Sequence, residues 1–504
     1  MARPTTRTCA AALAVCTVLS GVTALTAPSA FGGDSGNKTG QVHNVIYLLG
    51  DGMGRTHVTA GRQRFYGAAG KLNMERLPVV GQVATYAVEK NSSRPALVTD
   101  SASSATAWSS GVKTYNAAIG VDAYGKQVGT LMEKAHAAGY RTGNVSTAEV
   151  TDATPAGMYS HALQRGCQGP TYSLMDCGPM SSNPLLTTPI AKQIATNGTA
   201  DVILGGGLAR FDPADSKALT AQGYEVLGNF GHPNADQQTA DTQSVATKSE
   251  LEATTSRRVI GLFNRGNMTV ETTKDAAPAA SPVKQEPTLA EMTGKALSLL
   301  DASGDKHGKG FLLQVEGALI DKRSHANDAT QTLGEIKAFD DAVKVASDFA
   351  ARDGHTLVIV TADHECAGFN IIEKGTITNA EAVAPPANTD TTDKGNPANN
   401  SVPTRSKSGA KDPNRSSGIQ NGAGLTGPNP AGNFAAATFR TADDGPDVKD
   451  GSPEASLWLS YLSGNHTGAD VPLFASGPGS DVLAHELNNT DLYGIMLGSL
   501  HLSD

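Results

Sequence analysis

What most constrains the fold of this chain is a recurring alternation. Short apolar runs alternate with helix-like stretches, and several of the runs end in glycine, an acid or a histidine. Residues 43–49 read as a strand that runs into Gly50-Asp51-Gly52. Residues 129–138 look helical and 141–146 strand-like. Residues 200–204 form a strand ending in three glycines, 288–301 an amphipathic helix, and 309–315 a strand ending in Glu316-Gly317. A long amphipathic helix over 333–352 precedes a strand at 355–360 that ends in Thr361-Ala362-Asp363-His364. A last strand, 471–475, and a last helix, 491–500, close the pattern. Such alternation predicts an α/β fold with a mainly parallel sheet. Functional groups in such sheets collect beyond the C-terminal strand ends. Asp51, Glu316, Asp363 and His364 share that address.

Chain length and composition fit a large globular core: 504 residues, 39% of them apolar, with 55 glycines. A net charge of −9 disfavours general nucleic-acid binding, which needs a basic surface. It leaves a phosphate substrate open, because bound metal ions can reverse the potential inside a cleft. Residues 1–30 read as an export signal: Arg3 and Arg7, then an apolar run over 11–25, then Ala27-Pro28-Ser29-Ala30. Nothing later is long and apolar enough for a membrane span, so the chain is expected to be secreted, with one domain over 31–504. Residues 378–453, rich in Asn, Thr, Pro, Ser and Gly, read as an inserted surface excursion. Cys9 and Cys16 belong to the signal. Cys167 and Cys177 flank a short loop and are expected to form a disulfide in an oxidising compartment. Cys366 is left over; it reads as a buried free thiol, with a metal role as the alternative.

One stretch points to chemistry: Thr99-Asp100-Ser101-Ala102-Ser103-Ser104-Ala105-Thr106-Ala107. A serine hydroxyl is a poor nucleophile until something takes its proton. Small side chains let an anion approach the backbone, and a helix opening here would aim N–H groups at phosphate. No Gly-x-Ser-x-Gly elbow surrounds Ser101, so activation by metal is the better reading. Asp321 and His325 stand four apart and would share a helix face, as two ligands of one ion must. Asp363-His364 at a strand end, Asp51, Glu316 and His466 complete the candidates. Taken singly, each has a plainer reading: an exposed helix start, a turn aspartate, a surface histidine. Together they suit a multi-metal site, with mixed Asp/His shells for zinc and hard oxygens for magnesium. Two ions about 4 Å apart can clamp the entering and leaving oxygens of a phosphoryl displacement.

Seven segments, in order, resemble those of bacterial-type alkaline phosphatases. They are Leu49-Gly50-Asp51-Gly52-Met53-Gly54, Thr99-Asp100-Ser101-Ala102, Asp152-Ala153-Thr154-Pro155, Gln314-Val315-Glu316-Gly317, Asp321-Lys322 with His325, Thr361-Ala362-Asp363-His364 and His466-Thr467-Gly468. The resemblance implies a three-layer sandwich with a large, mainly parallel central sheet and helices on both faces. It implies Ser101 as the nucleophile that becomes a phosphoserine. Asp321, His325 and His466 would hold one zinc, and Asp51, Asp363 and His364 a second. Asp51, Thr154 and Glu316 would hold one magnesium, with Asp152 orienting its water. Lys322 would reach phosphate through water, and Arg165 would clamp it, oriented by Asp100. The implied substrates are small phosphomonoesters, and the implied assembly is a homodimer. A narrower alternative is an exported phosphatase for a phosphorylated antibiotic, such as an aminoglycoside 6-phosphate. A non-enzymatic alternative is a secreted metal- or phosphate-binding protein.

Overall fold

Asn44–Gly50, buried at every residue, forms β1 near the middle of a ten-stranded sheet. Burial on both faces is what a continuous apolar run requires. This computed structural model describes residues 41–170, 177, 182–232, 242–301, 308–374, 437–452, 454–462 and 464–503. The export signal with Cys9 and Cys16, and residues 375–436 of and before the expected insertion, lie outside the described residues.

The other strands of the large sheet, in chain order, are β2 (Val79–Ala84), β3 (Arg141–Glu149), β4 (Val202–Gly206), β5 (Glu225–Leu227), β6 (Val259–Leu262), β7 (Phe311–Gly317), β8 (Thr356–Thr361), β9 (Val471–Ser476) and β10 (Glu486–Asn488). Their spatial order is β10-β2-β9-β8-β1-β7-β3-β4-β6-β5. Every pairing is parallel except those of β9, which runs antiparallel to β8 and β2.

Helices cover both faces, as β3 shows directly. A Cβ on Gly143 would meet Leu300 of helix Leu289–Leu300, whereas the amide of Asn144 donates to the Pro155 carbonyl of the short helix Ala153–Ala156. Successive strand residues point to opposite faces, so these helices lie on opposite sides. The 25-residue helix Ala329–Asp353 packs with Leu289–Leu300, while Ser101–Ser110 packs with Ala153–Ala156 and Asn489–Ser499. Parallel strands with helices on both sides bring β1, β7 and β8 to one edge in register. Leu49 pairs with both Glu316 and Thr361. Asp51, Glu316 and Asp363 therefore leave three adjacent strands side by side.

Within the expected insertion 378–453, Ala437–Phe439 is a strand in a three-stranded sheet with Leu457–Ser460 and Asn370–Ile372, and Phe439 is buried there. Three residues are too few to show a period. The alternation read in the sequence does not foresee strands β2, β5, β6 and β10. β6 has only four residues, and β2 alternates buried and exposed around Gly81, where a Cβ would strike the Leu483 carbonyl.

Candidate metal centre and nucleophile

Ser101 is the first residue of a ten-residue helix whose side chains are all buried. Asp100 caps it in extended conformation, its carboxylate accepting the Ser103 N–H at 2.9 Å. The serine Oγ lies 3.1 Å from His364 Nε2 and 3.4 Å from Asp51 Oδ2. Asp363 and His364 are both fully buried, more than the strand-end pattern required. Asp363 Oδ1 accepts the N–H groups of Gly52 and His364, both at 3.0 Å. Its Oδ2 lies 3.1 Å from His364 Nε2.

Asp321 and His325 lie on helix Leu319–His325 and share a face as expected, but the helix is buried along its length, not an exposed start. Asp321 Oδ2 is 3.2 Å from His325 Nε2, and Asp321 Oδ1 is 3.5 Å from His466 Nε2. The two imidazoles meet through Nε2 atoms 3.0 Å apart. A carbonyl only accepts, so His325 Nδ1, 2.7 Å from the Gly464 oxygen, and His466 Nδ1, 3.0 Å from the Thr99 oxygen, carry the protons. With Nδ1 engaged by a carbonyl, the Nε2 atom of each ring is the one left to hold a cation between them.

A third group is ionic. Asp152 accepts from Lys322 Nζ at 2.9 Å and from Arg165 at 2.8 Å, and Arg165 also reaches Asp100 Oδ2 at 3.3 Å. All four side chains are buried. Despite burial, Lys322 and Arg165 hold the Asp152 carboxyl well below the usual range. Glu316 accepts from the Ser146 hydroxyl, and Thr154 is the second residue of the short helix that Asp152 caps.

The residues fit metal ions on their own evidence. Burial pushes the Asp51 carboxyl well above its usual range, and the Asp363, Asp321 and Glu316 carboxylates push it further. Burial likewise carries Glu316 up to about 7. So dense a set of buried carboxylates calls for cations. Asp321 Oδ1, Asp363 Oδ2 and Thr154 Oγ1 are buried with no hydrogen-bond partner, so a cation is the kind of group that would satisfy them. The grouping is tighter than the sequence implied. Ligand atoms of Asp321, His325, Cys366 and His466 lie within 4.8 Å of one another, as do those of Asp51, Asp321 and His364, so Asp321 serves both clusters. Glu316 belongs to neither group among the described residues.

Sequence reasoning missed Asn116 and Ala117. Asn116 Oδ1 accepts from the Asp100 N–H at 3.1 Å and the Ser103 hydroxyl at 3.0 Å. Ala117 adopts a left-handed φ of 72°, its N–H bonding Asp100 Oδ2 while its carbonyl accepts the Arg165 N–H. No glycine or turn signature marks this pair. The Cys167–Cys177 disulfide is formed, and Cys366 is buried and outside any disulfide.

The profile of the alkaline phosphatase family matches residues 42–502. The chain belongs to the alkaline phosphatase family. It is therefore a phosphomonoesterase of a metal-dependent family, which removes the non-enzymatic binding-protein reading. It is 42% identical to the alkaline phosphatase of Escherichia coli (strain K12) over 336 residues, 64% of this chain and 69% of the relative. It is 39% identical to a streptomycin-6-phosphate phosphatase of Streptomyces griseus over 357 residues, 68% of this chain and 77% of that protein. A mutant TAB5 alkaline phosphatase, solved with Mg bound in its M3 site, aligns at 25% identity with a TM-score of 0.59, covering 93% of this chain and 100% of that one. The α/β fold with its large, mostly parallel sheet is that of this family. Among the described residues no helix is long and apolar enough to cross a membrane.

Proposed function

We propose that this alkaline phosphatase is exported, acts as a single domain over 31–504 in a homodimer, and hydrolyses phosphate monoesters through a phosphoserine at Ser101. The proposed ligands are Asp321, His325 and His466 for one zinc, Asp51, Asp363 and His364 for a second, and Asp51, Thr154 and Glu316 for one magnesium, with Asp152 beside it. When bound, these ions supply positive charge that lowers the serine pKa and stabilises the developing oxyanions.

The chain's own residues do the rest. Asp100 and Asp152 grip the Arg165 guanidinium from two sides, which fixes its plane for two phosphate oxygens. Lys322, tethered to Asp152, adds charge at the same end of the site. Ser101 Oγ gives its proton to solvent, attacks phosphorus in line and forms a serine O–P bond as the ester O–P bond breaks, and the leaving oxygen takes up a proton from solvent. The alcohol leaves, and water then cleaves the Ser101 ester to release inorganic phosphate. Fixed charges meet the charge that develops at each step.

The observation that carries this reading is the placement of Ser101 Oγ at a helix start, 3.1 Å from His364 and 3.4 Å from Asp51. Ser101→Ala is expected to lose nearly all phosphomonoester hydrolysis while keeping its bound zinc, read by elemental analysis. Full activity in that variant rejects the assignment.

A narrower substrate, a cationic sugar phosphate such as an aminoglycoside 6-phosphate, has two supports: the Streptomyces griseus relative and the net charge of −9. Comparing kcat/KM for streptomycin 6-phosphate with that for a simple aryl phosphate separates a narrow enzyme from a broad one.

A further inference from the structure

We propose that Glu365 is a positioning residue for the Asp321–His325–His466 ion. Its carboxylate holds residues 464–467, on which two of that ion's three ligands depend, so its loss loosens this ion and spares the one at Asp51, Asp363 and His364. The inference rests on the metal-binding reading of both positions and adds no ligand to either. Glu365 stands outside both groups of converging ligand atoms.

The Glu365 carboxylate is buried and takes three donors. Its Oε2 accepts the Gly368 N–H at 3.1 Å and the Thr467 hydroxyl, and its Oε1 accepts the Phe369 N–H at 3.0 Å. The two amide bonds clamp a turn in which Ala367 and Gly368 both stand in the left-handed region, at φ 68° and 58°. A left-handed alanine is unfavourable by itself, so this turn needs a clamp. The Thr467 bond crosses to the facing strand: Glu365–Cys366 pairs antiparallel with His466–Thr467, and Glu365 lies opposite Thr467.

The same turn supports the imidazoles. The Ala367 N–H bonds the Asn465 carbonyl at 2.9 Å, and the Ala367 carbonyl accepts the Leu462 N–H at 2.8 Å. The Gly464 carbonyl in turn accepts from His325 Nδ1 at 2.7 Å, and His466 follows two residues later. One short segment therefore aims two imidazoles that stand on different elements, and that segment is tied to the Glu365 turn. Groups that orient a histidine through its other nitrogen set its affinity for metal. Asp363 and His364 are held differently. They leave the end of β8, and Asp363 Oδ1 accepts the Gly52 and His364 N–H groups, bonds in which the Glu365 side chain has no part.

The surroundings are shaped to this carboxylate. A Cβ on Gly54 would sit 2.3 Å from Glu365 Cγ, so the last glycine of Gly50-Asp51-Gly52-Met53-Gly54 makes room for it. The Phe369 ring stacks on His57 at 4.5 Å, and His57 Nε2 lies 3.0 Å from the hydroxyl of Ser324, the chain neighbour of His325.

Zinc affinity reads this out. Full-length wild type and Glu365→Ala are titrated against a zinc chelator of known affinity, with retained zinc measured by elemental analysis and folding by circular dichroism. In Glu365→Ala one zinc is expected to bind roughly tenfold to a hundredfold more weakly, and the other as in wild type. His466→Ala already lacks a ligand of the first ion, so adding Glu365→Ala to it should leave the remaining zinc unchanged. A folded Glu365→Ala protein that holds both ions as wild type does, or loosens both alike, overturns the proposal and leaves the metal reading standing. So does a weaker remaining zinc in the double variant. A wild type that binds no zinc overturns both. Thr467→Val removes one of the three bonds and should weaken the same ion roughly twofold to tenfold, the worth of one hydrogen bond. It decides the matter should Glu365→Ala fail to fold, and unchanged zinc binding in it then overturns the proposal.

Discussion

Asn116→Ala tests how the site positions its nucleophile and its arginine. Asn116 Oδ1 is an acceptor for the Asp100 N–H and the Ser103 hydroxyl, and its Nδ2 donates to the Val98 carbonyl at 3.1 Å. The Ser103 hydroxyl has other partners, at Asp100 Oδ1 and at Thr99 Oγ1. The Val98 bond lies at the surface, where water replaces it. The real loss is therefore one partner for the Asp100 N–H, and an unpaired buried amide costs about 1–3 kcal/mol. Asp100 sits between Ser101, its chain neighbour, and Arg165, its ion-pair partner. At about 1.4 kcal/mol per tenfold, a loss felt in the transition state lowers kcat/KM roughly fivefold to 150-fold. Because Arg165 is the proposed phosphate clamp, KM for the monoester and Ki for inorganic phosphate are expected to rise more than kcat falls. Steady-state kinetics on protein shown to be folded by circular dichroism reads this out. Ala117→Gly is the control. It keeps both backbone bonds and suits the left-handed φ of 72° better, so activity should stay at the wild-type level. A folded Asn116→Ala enzyme with unchanged KM and kcat refutes the reasoning, as does an Ala117→Gly enzyme that loses as much.

Three further outcomes are expected. Burial, then the neighbouring Glu271 carboxylate, pushes Glu335 from its ordinary 4.5 up to about 7. The folded state thus binds this proton more tightly than the unfolded state, and stability is lost as pH rises from about 4.5 to about 7. Glu335→Gln, which keeps an acceptor for the Glu271 N–H, should be more stable than wild type by up to about 3 kcal/mol at pH 8, with no such gain at pH 4. Urea unfolding at both pH values checks this, and an equal difference at both contradicts it. Replacing Cys167 and Cys177 by alanine reopens a loop with a sequence separation of 10 and should cost about 3 kcal/mol in the same assay. Chelation should abolish hydrolysis and lower the melting temperature, with both restored by zinc; at a hundredfold excess over Kd the ion contributes about 2.7 kcal/mol.

How far the sequence could be read follows from how each feature is encoded. β1, β7 and β8 are buried on both faces, so they appear as continuous apolar runs, and their polar ends stand out as Asp51, Glu316, Asp363 and His364. The face shared by Asp321 and His325 is a property of helical spacing alone. Short or half-exposed strands such as β2 and β6 carry too few residues for a pattern. The antiparallel run of β9 leaves no local mark, since direction depends on which strands it joins. Asn116 and Ala117 act through backbone groups and one amide, contacts that any turn could present. The sharing of Asp321 between two clusters, and the approach of Cys366 to one of them, arise from pairings over more than forty residues, such as Cys366 with His466. No local spacing encodes these.

The central claim is that Ser101 carries the phosphoryl group. Acid-quenching the enzyme during turnover of a phosphomonoester, then mapping its peptides by mass spectrometry, tests it directly. The expected result is phosphate on Ser101, absent from Ser101→Ala and from enzyme quenched without substrate. Turnover with no phosphorylated peptide, or with phosphate on another residue, contradicts it.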